Sequence, residues 1–185
     1  MNPAGHKQIL AFLKEVDMSL AQPLTFYLFG GAAITLAYDH ENRTFDLDLV
    51  DTYSQVISSF GPDSKVAQKY HVYLSDLPEI NLIISKDWRL RTKILDLGFK
   101  FITLKVADPY DIFVSKLPRL EPKDLEDMQS LVEKGYIEAT KLLKILNQNL
   151  KEVKNTSGCL NNVKLAFQMF FSKTITVKSG RLIFA

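Results

Sequence analysis

The sequence has few of the features that are typical of a secreted, membrane-bound or strongly basic protein. One cysteine, Cys159, cannot form a disulfide within the chain, and this favours a reducing compartment, with the cytoplasm as the expected location. The N-terminal segment lacks the uninterrupted apolar run of a signal peptide, and no run approaches the length of a membrane span, so no membrane partner is expected. The formal net charge of +2 is too small to indicate a nucleic-acid binder by itself.

What remains is the composition of a soluble globular protein. Hydrophobic residues make up 46% of the chain and charged residues 24%, both near the usual averages, so extensive disorder is not expected. A length of 185 residues suffices for one domain with a sizeable core, or for a core domain with a small appendage.

The periodicity of apolar residues predicts strands mainly in the first half of the chain and helices in the second. A helix over roughly residues 5–20 is followed by the strand LTFYLF, a helix that starts at a glycine pair, and the strand FDLDLVD. The segment EINLIIS is predicted to be a third strand, and the residues around Gly98 to form a β-hairpin. From about Asp108 the pattern is helical. We therefore predict an α+β fold, in which residues 1–107 form a mixed sheet flanked by helices and residues 108–185 form a helical segment with a C-terminal tail.

Two aspartates, Asp46 and Asp48, interrupt an otherwise strand-like segment on one side. Because residues two apart in a strand point to the same face, these carboxylates are expected to project together, about 7 Å apart along the strand. They repel each other unless a cation lies between them, and oxygen-only ligands suit Mg²⁺, which takes its other ligands from phosphates and water. The pair therefore indicates phosphoryl or nucleotidyl transfer. The alternative is that both aspartates line the solvated face of an edge strand.

A glycine pair, Gly30 and Gly31, lies between the preceding strand and helix. Glycines at such a turn let the backbone approach a phosphate closely, and they expose N–H groups at a helix N-terminus, where the helix dipole also favours anions. Gly-Gly alone is a common turn signal. Because only fourteen residues separate Gly31 from Asp46, the combination predicts a phosphate cradle beside a metal site.

The stretch FGGAAITLAYDHENRTFDLDLV resembles the signature of the DNA polymerase beta-like nucleotidyltransferase superfamily, in which Gly-Gly or Gly-Ser is followed by Asp-x-Asp. The Arg-Thr just before the aspartates is similar to the branch that contains the AbiEii and MenT-like toxins of bacterial toxin–antitoxin systems and their uncharacterised relatives. That branch also carries a later Lys-Leu and a Lys-Asp-x-x-Asp on helices, and VSKLPRLEPKDLEDMQSL matches both. The resemblance spans roughly residues 24–135.

The resemblance implies a role for each matching residue. A nucleoside triphosphate would be the substrate, with its triphosphate held by Gly30 and Gly31, and Mg²⁺ would be bound by Asp46 and Asp48. The other implied roles are phosphate contact by Arg43 and Thr44, neutralisation of phosphate charge by Lys116, and completion or ordering of the site by Asp124 or Asp127. A metal ion with a lysine suits phosphoryl transfer, which relies mainly on positioning and on neutralising charge.

Several of these residues also have a purely structural interpretation. Acidic residues at a helix start, such as Asp124 and Asp127, complement the helix dipole. Lys116 has the alternative of a surface lysine whose stem covers apolar neighbours. Arg43, with the threonine that follows it, has the alternative of a turn cap.

A third carboxylate is missing from the expected place. Many members of the superfamily supply it from a later strand, often as the base that activates the attacking hydroxyl. In EINLIIS the matching position is Asn81, and an amide cannot accept a proton as a carboxylate does. Glu79, Asp87 or an acid on the later helices are the alternatives.

The expected function is magnesium-dependent transfer of a nucleoside monophosphate from a nucleoside triphosphate to a hydroxyl on RNA or protein. By resemblance alone, transfer RNA is the preferred acceptor, and an antitoxin protein is the expected partner if the chain is a toxin. The alternative is a nucleotide-binding or protein-interaction module of the same fold that lacks the catalytic base.

Overall fold

A computed structural model describes residues 2–185, and these form two compact units. The first unit is the chain up to Asn81 together with Arg89–Asp108, and the second is Leu82–Trp88 with Pro109–Ala185. The predicted boundary after residue 107 lies one residue before the first unit ends. Within residues 2–185, none of the helices combines the length and the apolar character that crossing a bilayer requires.

The first unit is a five-stranded mixed sheet with four helices among its described residues. Its elements are α1 (His6–Ser19), β1 (Leu24–Leu28), α2 (Gly30–Ala37), β2 (Asp46–Val50), α3 (Ser54–Ser59), α4 (Lys65–Tyr70), β3 (Tyr73–Asp76), β4 (Lys93–Leu95) and β5 (Ile102–Val106). The strand order is β3-β2-β1-β5-β4. β1 runs antiparallel to β2 and parallel to β5, β2 runs parallel to β3, and β4 pairs antiparallel with β5.

The two faces of this sheet differ in chemistry because side chains alternate along every strand. One face is apolar and buried, and it includes Phe26, Leu28, Leu47, Leu49, Leu74 and Leu104. The other face, which we call the polar face, is mostly half-buried or exposed. The strand register places on it Thr25, Tyr27, Asp46, Asp48, Tyr73, Ser75, Thr103 and Lys105, together with the apolar Val50 and Ile94.

Helix α1 packs on α2 and α4, and its apolar stripe, spaced at helical intervals, is fully buried. Near its C-terminal end Asp17 is buried as well, although it is charged. Its carboxylate accepts backbone N–H bonds from Lys100, Phe101 and Ile102 at 2.9, 2.7 and 2.8 Å. Burial alone would raise the pKa of Asp17, but these bonds hold it below its usual value. They tie α1 to the start of β5.

The helices and strands predicted for the first unit are confirmed, except that the third strand is not where the sequence placed it. The segment EINLIIS forms no strand. Glu79–Asn81 is a turn of 3₁₀-helix, in which the Asn81 N–H donates to the Pro78 carbonyl at 2.9 Å. Ile80 is 92% exposed, so the apolar letters of this segment do not reflect burial in a sheet. The strand beside β2 is instead β3, where the buried Leu74 alternates with less buried residues.

The second unit is helical, with a hairpin at its end. Its helices and strands are α5 (Pro109–Lys116), α6 (Pro122–Glu133), α7 (Ala139–Gln148), α8 (Leu150–Asn155), α9 (Cys159–Phe171), β6 (Ile175–Lys178) and β7 (Arg181–Phe184). The segment YIEATKLLKILNQNLKEV, whose apolar pattern predicts one continuous helix, forms the two helices α7 and α8, which are separated at Asn149. The tail is an antiparallel hairpin. The predicted α+β class, with a mixed sheet followed by a helical C-terminal part, is confirmed.

Candidate functional site

Asp46 and Asp48 lie on the polar face of β2, while Leu47 and Leu49 point into the buried core. Both aspartates are half-buried. β2 lies between β1 and β3, so it is not an edge strand. The alternation of the strand therefore separates the acids from the core and presents them together on one face.

Gly30, the first residue of α2, lies against the Asp48 carboxylate. Its φ is +65°, in the left-handed region that favours glycine, and a Cβ at this position would collide with Asp48 Oδ2 and lie 3.1 Å from its Cγ. The Phe29 N–H also donates to the Asp48 carbonyl at 2.9 Å. Backbone conformation and space both require glycine here, and the start of α2 is thereby held beside the acid pair.

Gly31 is buried in the first turn of α2. Its carbonyl accepts hydrogen bonds from Thr35 Oγ1 at 2.9 Å and from Asn42 Nδ2 at 3.4 Å. The Thr35 bond lies within α2, and the Asn42 bond links the loop that follows α2 to the glycine pair.

Thr44 and Arg43 occupy different environments just before β2. Thr44 is buried and forms an isolated β-bridge with Ala4, and its hydroxyl lies 3.2 Å from both the carbonyl oxygen and Oδ1 of Asp46, to which it donates. Thr44 therefore orients the first aspartate of the pair. Arg43 is exposed, and its guanidinium packs over Gly5, where an added Cβ would lie 2.9 Å from Nη1. Phosphate contact by either residue stays a prediction.

On the polar face, the neighbouring strand β3 offers hydroxyl groups rather than a third acid. Tyr73 on β3 pairs with Asp46, and Ser75 pairs with Asp48, so all four lie on the polar face. Burial raises the pKa of the Tyr73 phenol, and the negative charges of Asp46 and Asp48 raise it further. Both aspartates therefore act electrostatically on one group, which agrees with their sharing a face.

The acids that the sequence offered as substitutes for a third carboxylate are engaged elsewhere. Glu79 accepts a hydrogen bond from Arg89 Nη1 at 3.1 Å, and the same guanidinium pairs with Asp51. These two acids hold the pKa of Arg89 above its usual value, against the lowering effect of burial. Asp87 belongs to the second unit and accepts a bond from Ser85 Oγ at 2.8 Å. In the part of the chain that the structure describes, no group of three or more His, Cys, Asp or Glu side chains is arranged to hold a metal ion.

The acid pair nevertheless has the donor set that Mg²⁺ uses. Mg²⁺ in phosphate-processing sites typically takes one or two carboxylates and completes its octahedron with phosphate oxygens and water. Asp46 and Asp48 supply two such carboxylates, and Thr44 leaves most of the acceptor capacity of Asp46 open. Gly30, which has no Cβ, lets the Asp48 carboxylate lie directly against the N-terminus of α2. The chain's residues therefore fit a magnesium ion shared with a nucleotide.

Lys116 lies in a buried ion-pair cluster of the second unit. Its ammonium is 3.0 Å from Asp124 Oδ1 and 2.8 Å from Asp127 Oδ2, and all three residues are at most 5% exposed. From the surface, Arg119 reaches Asp124 and Lys123 reaches Asp127, each at 3.0 Å. The alternative of a surface lysine is therefore wrong.

The Lys116 cluster has a structural function whatever else it does. Burial alone would lower the pKa of Lys116, but the charges of Asp127 and Asp124, with their hydrogen bonds, hold it above its usual value. Asp124 also completes the capping box of α6, accepting the Glu121 N–H at 3.3 Å. The helix-start interpretation of Asp124 is thus correct, and roles for Lys116, Asp124 and Asp127 toward a nucleotide stay predictions.

Tyr27 and Lys105, which bring an aromatic ring and a cation together on the polar face, were not singled out from the sequence. Tyr27 on β1 and Lys105 on β5 are paired in register, and the Lys105 ammonium lies 5.4 Å from the centre of the Tyr27 ring. Arg89 lies 5.6 Å from the same ring. The alternation in FITLKV could have indicated that Lys105 leaves the core, but its neighbours depend on strand order, which the letters do not give.

An inner strand of the mixed sheet carries an acid pair, and a glycine turn that opens a helix lies beside it. This combination defines a nucleotidyltransferase-like protein. The comparison with known families agrees with this class. The profile of the family DUF6036, described as nucleotidyltransferase of unknown function, matches residues 7–174, and the chain belongs to this family. No curated protein and no solved structure matches the chain.

Replacing Gly30 with alanine tests whether the close approach to Asp48 matters. Gly98 is the matched control, because its φ of +69° is similar but a Cβ there meets nothing within 4 Å. Gly98→Ala should cost about 1 kcal/mol of unfolding free energy, from backbone strain alone. Gly30→Ala should cost at least about 2 kcal/mol more, because it also displaces the Asp48 carboxylate. Denaturant unfolding measures both, and equal costs would contradict the close contact.

Replacing Lys116 with alanine tests the buried ion-pair cluster. The change leaves Asp124 and Asp127 buried without their shared cation, so the free energy of unfolding should fall by about 3–5 kcal/mol. Lys123→Ala is the control, since Lys123 contacts the same Asp127 from the surface and should cost about 1 kcal/mol or less. Chemical denaturation of both variants measures the difference, and a small loss for Lys116→Ala would show that the cluster contributes little.

Proposed function

We propose that this protein is a magnesium-dependent nucleotidyltransferase that moves a nucleoside monophosphate from a nucleoside triphosphate to a hydroxyl on RNA or protein. One observation carries the proposal: the Asp48 carboxylate lies against Gly30 at the N-terminus of α2. A helix N-terminus favours anions, and a carboxylate pair favours a hard cation. The contact therefore supports a phosphate-binding site next to a magnesium-binding site.

In this proposal Gly30 and Gly31 hold the triphosphate, and Asp46 and Asp48 hold Mg²⁺. Bound there, the ion would neutralise charge that develops on the phosphates during transfer. The acceptor hydroxyl oxygen forms a bond to the α-phosphorus and its proton is released to solvent water, while the bond from that phosphorus to the bridging oxygen of the β-phosphate breaks and pyrophosphate leaves with that oxygen. Thr44 orients Asp46 through its hydroxyl, so it contributes to positioning.

The other residues implied by the resemblance take supporting roles. Arg43 is exposed next to the start of β2, so its guanidinium is available to contact phosphate. The resemblance gives Lys116 the role of neutralising phosphate charge, although its ammonium is already paired with Asp124 and Asp127 in the structure. A nucleotide titration of Lys116→Ala alongside Lys123→Ala separates this role from a purely structural one.

A second candidate is a nucleotide-binding or protein-interaction module that has lost turnover. The observation that favours it is the chemistry beside the acid pair: the β3 residues paired with Asp46 and Asp48 are Tyr73 and Ser75. Neither supplies a carboxylate that could take the proton of the acceptor hydroxyl. Glu79 is held by Arg89, so it is a poor substitute.

The proposed acceptor and the toxin role rest on the resemblance to the AbiEii and MenT-like toxins. It supports transfer RNA as the acceptor and, for a toxin, an antitoxin protein encoded beside it. Inspection of the neighbouring gene and growth on expression of wild type against Asp48→Ala address this point. Harmless expression of an active enzyme would instead indicate a housekeeping transferase.

The transfer reaction is tested by incubating the protein with Mg²⁺, each labelled nucleoside triphosphate in turn, and total RNA or total protein. Wild type should label an acceptor. The double variant Asp46→Asn/Asp48→Asn should lose at least about 10³-fold in rate, because several kcal/mol of charge neutralisation disappear with the metal.

The matched control is Asp76→Asn, an exposed acid at the end of β3 that pairs with Leu49 and lies off the polar face. It should keep the wild-type rate. If wild type labels nothing, as the double variant does, although both are folded and the wild type binds nucleotide, the non-catalytic module is the correct description.

A further inference from the structure

The polar face carries a half-buried lysine that the nucleotide site described above does not use. Lys105 extends from β5 over the Tyr27 ring, with its ammonium 5.4 Å from the ring centre. Among residues 2–185 no carboxylate forms an ion pair with it. The contrast is Arg89, on the same ring, whose charge is balanced by Glu79 and Asp51.

The Lys105 ammonium has an aromatic neighbour but no carboxylate partner among the described residues. Partial burial removes water from an ammonium, and an aromatic face replaces only part of that solvation. The Tyr27 ring therefore fixes where the Lys105 charge lies without neutralising it. A fixed, unneutralised positive charge on a half-open face is suited to bind an anion.

The strand register gives the position of Lys105 relative to the acid pair. Lys105, Tyr27 and Val50 lie in line across β5, β1 and β2. Lys105 is therefore two strand spacings, about 10 Å, across the sheet from β2, and Asp48 lies two residues, about 7 Å, along β2 from that line. The same line crosses β1 three residues before Gly30, so Lys105 is set back from the turn where the triphosphate would be held.

Resting on the proposed transfer function, we propose that Lys105, held by Tyr27, binds a backbone phosphate of a polynucleotide acceptor, and that the acceptor is RNA rather than protein. The attacking hydroxyl must reach the nucleotide beside Asp46 and Asp48. The next phosphate along an RNA strand lies one nucleotide away from that hydroxyl. The separation of Lys105 from the acid pair suits this phosphate, and a protein acceptor has no group that requires a cation there.

The test is equilibrium binding of a short, fluorescently labelled single-stranded RNA, without nucleoside triphosphate, measured by anisotropy over about 50–200 mM salt. Lys105→Ala should weaken binding about five- to tenfold and reduce the slope of log affinity against log salt by about 0.7, the value for one lost phosphate contact on a single strand. Lys105→Arg should restore both quantities. Tyr27→Phe, which keeps the ring, should leave both unchanged.

The matched control is Lys100→Ala. The Lys100 ammonium also lies over an aromatic ring, 4.6 Å from the centre of Phe101, but it precedes β5 and lies off the polar face. Its removal should change neither affinity nor salt slope. Thermal unfolding of every variant confirms that the folded protein is compared, and Lys105→Gln, which keeps the length of the stem, replaces Lys105→Ala if the latter is unstable.

Separate titrations with a nucleoside triphosphate distinguish this inference from the transfer function on which it rests. Unchanged nucleotide affinity in Lys105→Ala, with weakened RNA binding, supports an acceptor subsite. Unchanged RNA binding, or a loss of nucleotide affinity instead, overturns it. Transfer to a protein acceptor at the wild-type rate in Lys105→Ala overturns the inference while the transferase stands. RNA binding through Lys105 without any transfer supports the subsite and contradicts only the enzymatic activity.

Discussion

The close approach of Asp48 to Gly30 is the constraint on which the candidate site depends. The positive φ of Gly30 turns the chain from β1 into α2, and the missing Cβ leaves room for the carboxylate. The acid pair repels phosphate, whereas the helix N-terminus attracts it, and this contact holds the two side by side. In the proposed function a divalent cation resolves that opposition, and the membership of a nucleotidyltransferase family agrees with this proposal.

Strand alternation extends this constraint across the sheet. Because β2 is an inner strand with a buried apolar side, its acids have one face available to them. Tyr27 on β1 and Lys105 on β5 project from the same face, so a lysine and the two aspartates share one side of the sheet. The Lys116 cluster uses different physics: its charges neutralise each other inside the second unit.

Much of this could be predicted from the sequence, and the exceptions have identifiable causes. The glycine pair and Asp-x-Asp are local signals, so the helix and strand that carry them, and the face that the two aspartates share, follow from spacing. The strand predicted for EINLIIS was wrong because apolar letters alone do not distinguish a strand from an exposed 3₁₀ turn, as the exposure of Ile80 shows. Lys105 was missed because its importance depends on which strands are neighbours. The burial of Lys116 was missed because its partners, eight and eleven residues on, lie on the next helix.

The proposed site is tested most directly by a crystal structure with Mn²⁺ in place of Mg²⁺ and a non-hydrolysable nucleoside triphosphate. We expect an anomalous scattering peak between the Asp46 and Asp48 carboxylates, with phosphate oxygens on the same ion and the triphosphate at the N-terminus of α2. An ordered nucleotide bound elsewhere, or a triphosphate at α2 with no metal on the two aspartates, would contradict it.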